Sequence, residues 1–147
     1  MTRAKKKYAP RAFESLGAKF IDSDGRKRTD TSANIFESML LSPAWKSLNS
    51  KQQVLYLVCK AQFYGKRKPG RDFPDVETFQ TDEAFYLNWG SVQKYGLYKP
   101  TMSKNFYADM RALIDRGFII LLSSGKSHHQ KNIYRFGARW REWDDSS

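Results

Sequence analysis

"TMSKNFYADMRALIDRGFIILLSSGKSHHQKNIYRF", residues 101–136, decides how the rest of the chain is read. Its apolar residues Met102, Phe106, Met110, Leu113 and Ile114 recur three or four apart. At 100° per residue they gather on one side of a helix over about 101–116. Gly117 supplies the left-handed stop. "FIILL" is then a continuous apolar strand, and after polar "SSGKSHHQKN" the segment "IYRF" returns as a second. The GKS at 125–127 hints at a phosphate-cradling loop, which requires G-x-x-x-x-G-K-[ST] with a helix directly after it. Ile120 stands where the first glycine is needed, and the following "HHQKNIYRF" is strand-like. Both requirements fail, so GKS reads as the polar tip of a hairpin.

The rotation that collects the apolar stripe turns Lys104, Ala108 and Arg111 outward, with Asn105, Tyr107 and Ala112 beside them. Just upstream, "AFYLN" has the make-up of a short strand. Asn88 can cap a short helix in "WGSVQKYGLY", which Gly96 ends, and Lys99-Pro100-Thr101 opens the longer one. Short helix, tight turn, longer helix and basic-tipped hairpin, in that order, predict a winged helix-turn-helix over 85–137. The fold class is α+β, with additional N-terminal helices and a basic flexible arm.

In such a motif the second helix enters the major groove, which is wide enough to admit it. Lys99, Thr101, Lys104 and Asn105 then lie near the amino end, where base edges are met. Small Ala108 permits close approach, and Arg111 continues the strip. Tyr107 has two readings, a phosphate contact through its hydroxyl or packing over the wing. Lys126, His128 and Lys131 in the tip can reach phosphates or the neighbouring groove, with His129, Gln130 and Asn132 among them. The plainer readings are ordinary solubilising charge and a hairpin that only closes the sheet.

Working outward, "TSANIFESMLLSP" predicts a short amphipathic helix at about 34–41, stopped by Pro43. "LNSKQQVLYLVCKAQFYG" predicts a core helix at 50–64, capped by Asn49 or Ser50, with Gln53 three residues after Ser50. Its expected stripe is Val54, Leu55, Val58, Ala61 and Gln62. The connection "KRKPGRDFPDVETFQTDEA" begins with Lys66, Arg67, Lys68 and Arg71, which either contact phosphate or solvate a surface loop. "RFGARWREW" closes the domain, with Arg139 and Arg141 able to add backbone contacts. Trp45, Trp89, Trp140 and Trp143 are expected to pack. The expected domain is 31–147, behind a basic, mobile arm at 1–30 that offers Arg26, Lys27 and Arg28 to phosphate. The D-x-D-G in that arm lacks the further oxygen ligands of a calcium loop.

Charge indicates the partner. Lys and Arg number 26 against 15 Asp and Glu, a net charge of +11. Such an excess favours a polyanion, because each neutralised phosphate releases condensed counterions. Other classes are disfavoured. No apolar run approaches the length of a membrane span, and the basic start is not followed by a signal-peptide core. The lone Cys59 forms no internal disulfide and falls in a buried helical pattern, consistent with a reducing cytoplasm. Adjacent His128 and His129 diverge on extended chain, so no metal site and no cofactor are expected. Carboxylates cluster only in the irregular stretch around Asp72–Glu83, so an enzyme is not expected.

Two blocks, "WGSVQKYGLYKPTMSKNFYADMRALIDRGFI" (89–119) and "KNIYRFGARWREW" (131–143), carry a resemblance. Together with "SPAWKSLNSKQQVLYL" and "FYGKRKPG", the chain from about Phe36 to Trp143 resembles small winged-helix, replication-initiator-like proteins of bacterial plasmids, phages and integrative elements. The resemblance implies double-stranded DNA binding by the helix at 101–116 and the wing, in a replication accessory or transcriptional regulator. Full initiators are usually longer, with further domains for origin melting or partner recruitment, which the matching residues do not supply, so a complete initiation activity is not expected. A homodimer would read two half-sites, although no heptad repeat announces one. A second reading makes this a mobile-element protein that occupies a host protein or ribonucleoprotein complex, such as a defence system. A third is RNA binding, which suits a wing poorly because the A-form major groove excludes side chains.

Overall fold

The computed structural model describes residues 13–63, 84–123 and 132–145. It divides between Thr31 and Ser32 into two units. In the first, a small hairpin stands within the stretch expected to be an aperiodic arm. Strand β1 (Lys19–Ile21) pairs antiparallel with β2 (Lys27–Thr29), Phe20 facing Arg28. The D-x-D-G that fails as a calcium loop is a turn signal. Gly25 takes φ +78° and donates its N–H to the Asp22 carbonyl. Asp22 Oδ1 accepts from the backbone N–H groups of Asp24 and Arg26, and Oδ2 accepts from Arg28 Nε.

Desolvation pushes the Asp22 acid up, but the amide bonds and the Arg28 guanidinium outweigh it and hold the carboxyl below its ordinary value. The folded form therefore binds its proton less readily than the unfolded chain. The turn's stabilisation is present above the ordinary carboxylate range and is lost as pH falls through the depressed value. Amide shifts of Asp24 and Arg26 should accordingly collapse toward random-coil values on acidification. In Asp22→Asn they should lose that acid transition; a transition that persists in the variant would contradict the assignment.

The second unit runs α1 (Glu37–Leu40), α2 (Pro43–Ser47), α3 (Ser50–Phe63), β3 (Ala84–Tyr86), α4 (Trp89–Val92), α5 (Ser103–Asp115), β4 (Ile119–Ser123) and β5 (Ile133–Phe136). A 3₁₀ turn extends α4 over Gln93–Tyr95, and another follows β5 at Arg139–Arg141. The three strands form one antiparallel sheet in the order β3-β5-β4, with an irregularity between Leu121 and Ser123.

Pro43 stops the first helix and also opens the next, at a first-turn position where its missing N–H costs nothing. Buried Ser42 links the two: its hydroxyl donates to the Met39 carbonyl (2.6 Å) and accepts from Trp45 N–H (3.2 Å). At α3 the reciprocal cap forms one residue earlier than Ser50–Gln53. Asn49 Oδ1 accepts from Gln52 N–H, and Gln52 Oε1 accepts from Asn49 N–H. Gln53 turns back instead to the Trp45 carbonyl.

The buried stripe of α3 is also rotated from the expected one. It comprises Leu55, Tyr56, Val58 and Cys59, while Val54 is exposed and Ala61 and Gln62 are half-buried. This helix is apolar around much of its girth, so tertiary contacts choose the face. Tyr56 meets Trp45 at 5.8 Å and Phe118 at 5.3 Å between ring centroids, a preferred aromatic spacing. The core continues through Phe85, stacked on Phe136 (4.6 Å), and through Phe106, Met110 and Leu113 of α5. Ala84 and Ile133 are buried in a separate small apolar cluster with Tyr86 and Leu122. Among the described residues, no helix is long and apolar enough to cross a membrane.

Candidate nucleic-acid interface

The turn between α4 and α5 is set locally. Asn88 Oδ1 accepts from Ser91 N–H (2.8 Å) and Ser91 Oγ accepts from Asn88 N–H (3.1 Å), starting α4. Gly96 ends the following 3₁₀ turn at φ +73°. Helix α5 begins at Ser103, two residues later than the spacing suggested. Half-buried Met102 sits at the cap and packs against the core, with its N–H bonded to the Lys99 carbonyl. Exposed Lys99 and Thr101 therefore lie on the turn before the helix.

Three attachments fix how α5 is presented. Phe106, Met110 and Leu113 are buried along its inner face. Midway along, Asp109 accepts from Gln52 Nε2 of α3 (3.1 Å) and from the Tyr98 hydroxyl (2.7 Å). Burial and this carboxylate together push the Tyr98 phenol well above its ordinary value, so it stays a donor. Beyond the carboxyl end, Arg116 Nε donates to Ser47 Oγ of α2 (2.6 Å) while its guanidinium lies over Trp143. A helix held this way presents a defined outer face. Lys104, Asn105, Tyr107, Ala108 and Arg111 are all exposed on it, and Ala112 is half-buried.

Tyr107, open to two readings from sequence, is 48% exposed. Its ring lies 4.9 Å from Phe106. Tyr107 also acts electrostatically on Tyr134, whose phenol is raised chiefly by burial and whose oxygen accepts from Asn132 Nδ2. About half of the Tyr107 surface therefore remains open on the outer face of α5.

Two features were not singled out from sequence. Asp115 stands one helical turn after Arg111 and accepts from its Nε at 3.2 Å. Lys51, in the first turn of α3, lies 5.2 Å from the Tyr98 ring. Asp109 of α5 bonds both Tyr98 and Gln52, the neighbour of Lys51, so tertiary contacts bring that lysine near α5 and no local pattern encodes it. In the N-terminal unit, Arg26 and Lys27 are exposed, but Arg28 is committed to Asp22 and is withdrawn from the set of free cations. Exposed Arg139 and Arg141 stand on the 3₁₀ turn after β5. Lys66, Arg67, Lys68, Arg71, Lys126, His128 and Lys131 lie outside the described residues.

Cys59 is fully buried, and burial pushes its thiol well above the ordinary range, leaving little of the nucleophilic thiolate at neutral pH. Among the described residues no three His, Cys, Asp or Glu side chains are grouped to hold a metal. The tryptophans pack, Trp45 edge-on to Tyr56 and Phe118, Trp89 on Tyr98 and Phe106, and Trp140 parallel to Phe118. Comparison with protein families, curated proteins and solved structures gives no match for this chain.

Proposed function

We propose that this protein binds double-stranded DNA through the outer face of α5, in the manner of a winged helix-turn-helix. The order α3, β3, α4, α5, β4, β5 and the sheet order β3-β5-β4 support that reading. The observation that carries it is the division of α5 itself. Phe106, Met110, Leu113 and Asp109 hold the helix, while Lys104, Asn105, Ala108 and Arg111 project from it, narrow at Ala108 and cationic on either side. A net charge of +11 supplies the attraction, with phosphate contacts giving position and most of the affinity. Base contacts from the amino half of α5 would give discrimination. The resemblance stated above extends this to a mobile-element replication accessory or regulator.

The Arg111–Asp115 pair does not obstruct that role. An exposed i,i+4 pair is worth about 0.3–0.5 kcal/mol, less than the roughly 1–3 kcal/mol of a good DNA contact. Arg111 should therefore leave Asp115 for DNA. Asp115 itself is a like charge near the phosphates, so Asp115→Asn should tighten DNA binding about two- to fivefold. Weaker binding by that variant would place Asp115 in a favourable contact and contradict the orientation proposed here.

Selection of bound duplexes from a random pool tests the function directly. A recovered motif of one or two half-sites is expected, with two spaced half-sites indicating a dimer. Recovery of no motif, with duplex RNA retained as well as duplex DNA, would overturn the proposal.

A further inference from the structure

Helix α1 and its two flanking residues leave large apolar side chains in solvent. The helix buries none of its four residues. Phe36 is 79% exposed, Leu40 43% and Leu41 60%. Scattered exposed apolar residues need no explanation, but a contiguous set beside a concavity does. Here the concavity exists: a groove of about 450 Å³ is lined by Phe36, Ser38, Met39, Ser42, Trp140 and Arg141. Its floor is built firmly. Ser42 is buried and bonded on both sides, and Trp140 stacks parallel on buried Phe118. The Arg141 guanidinium rests 5.7 Å from the Trp140 ring centroid. Arg139 and Lys46 are exposed close by along the chain, against Glu37 and Glu142.

We infer that this groove docks an acidic, amphipathic segment of a partner protein, whose large apolar side chain enters beside Phe36, Met39 and Trp140 while a carboxylate meets Arg141. The occupant's chemistry follows from the lining. Apolar contact supplies the affinity, and a planar guanidinium on an aromatic ring offers a carboxylate a two-pronged partner. A second copy of the chain is disfavoured by self-repulsion, since each carries +11. This site uses none of the α5 residues assigned to DNA, so it stands or falls separately.

The test pans random 12-residue displayed peptides against the full chain. One selected peptide is then synthesised with a fluorescent label and titrated by anisotropy. Enrichment of Leu, Phe, Met or Trp flanked by Asp or Glu is expected. Phe36→Ser should weaken the labelled peptide at least tenfold, as should Arg141→Glu. Arg111→Ala should leave it unchanged. All three residues are exposed, so circular dichroism should show an intact fold in every variant. Absence of the acidic-apolar pattern would overturn the inference. So would equal binding by Phe36→Ser, which would indicate charge attraction alone. Displacement of the peptide by a single-stranded oligonucleotide, or a protein dimer abolished by the same substitutions, would assign the groove to nucleic acid or to self-association instead.

Discussion

Replacing Gly117 with alanine should cost about 2–5 kcal/mol of folding stability. The left-handed conformation costs any other L-residue about 1–2 kcal/mol, and Gly117 holds it at φ +84°. Space makes the position stricter still. A Cβ there would lie 2.6 Å from both the Arg139 carbonyl carbon and the Trp140 nitrogen. Backbone on that side must shift, adding about 1–3 kcal/mol as overpacking does. The Gly117 carbonyl accepts from Trp140 N–H, and Gly137 N–H bonds to the Phe118 carbonyl. A shift would therefore loosen the closing 3₁₀ turn and the start of β4 together. Gly96 is the control. Its φ is +73° with nothing within 4 Å of an added Cβ, so Gly96→Ala should cost only about 1–2 kcal/mol. Urea denaturation of the two variants measures the difference; equal losses would contradict the close approach at Gly117.

Lys104→Ala with Arg111→Ala should lower affinity for the selected duplex by about 2–6 kcal/mol, the sum of two contacts of about 1–3 each. The two positions lie about 10 Å apart along the helix, far enough for their effects to add. The slope of log affinity against log salt should fall by up to about 1.8 if both side chains neutralise phosphates. Stability should stay within about 0.5 kcal/mol of the original, because both side chains are exposed. Unchanged affinity and slope would remove this face from DNA binding, whatever else the protein binds.

The α5 region was legible because two signals agreed there: a narrow apolar stripe at helical spacing, and glycines at the stops. The strand at Ile133–Phe136 was clear as well, preceded by polar residues, followed by Gly137, and rich in aromatic and β-branched side chains. Helix α3 was legible as a helix but not in its orientation. With Val54, Leu55, Tyr56, Val58 and Cys59 all apolar, periodicity allows several faces, and Trp45 and Phe118 make the choice. The hairpin at 19–29 is hard to read because its D-x-D-G matches a truncated metal loop as well as a turn, and three-residue strands carry almost no alternation. On the candidate interface, the outward set of α5 followed from geometry within one element. The contacts that qualify it, Arg28 with Asp22 and Lys51 beside Tyr98, join positions that no single helical or strand period relates.

The central claim is that the outer face of α5 meets the double helix. Amide chemical-shift mapping during titration with the selected duplex asks this without altering the protein. The largest changes should fall on Lys104, Asn105, Ala108 and Arg111, with Phe106, Met110 and Leu113 little moved and residues 36–41 silent. Changes confined to 36–41 or to 139–143, with α5 undisturbed at saturating DNA, would contradict it.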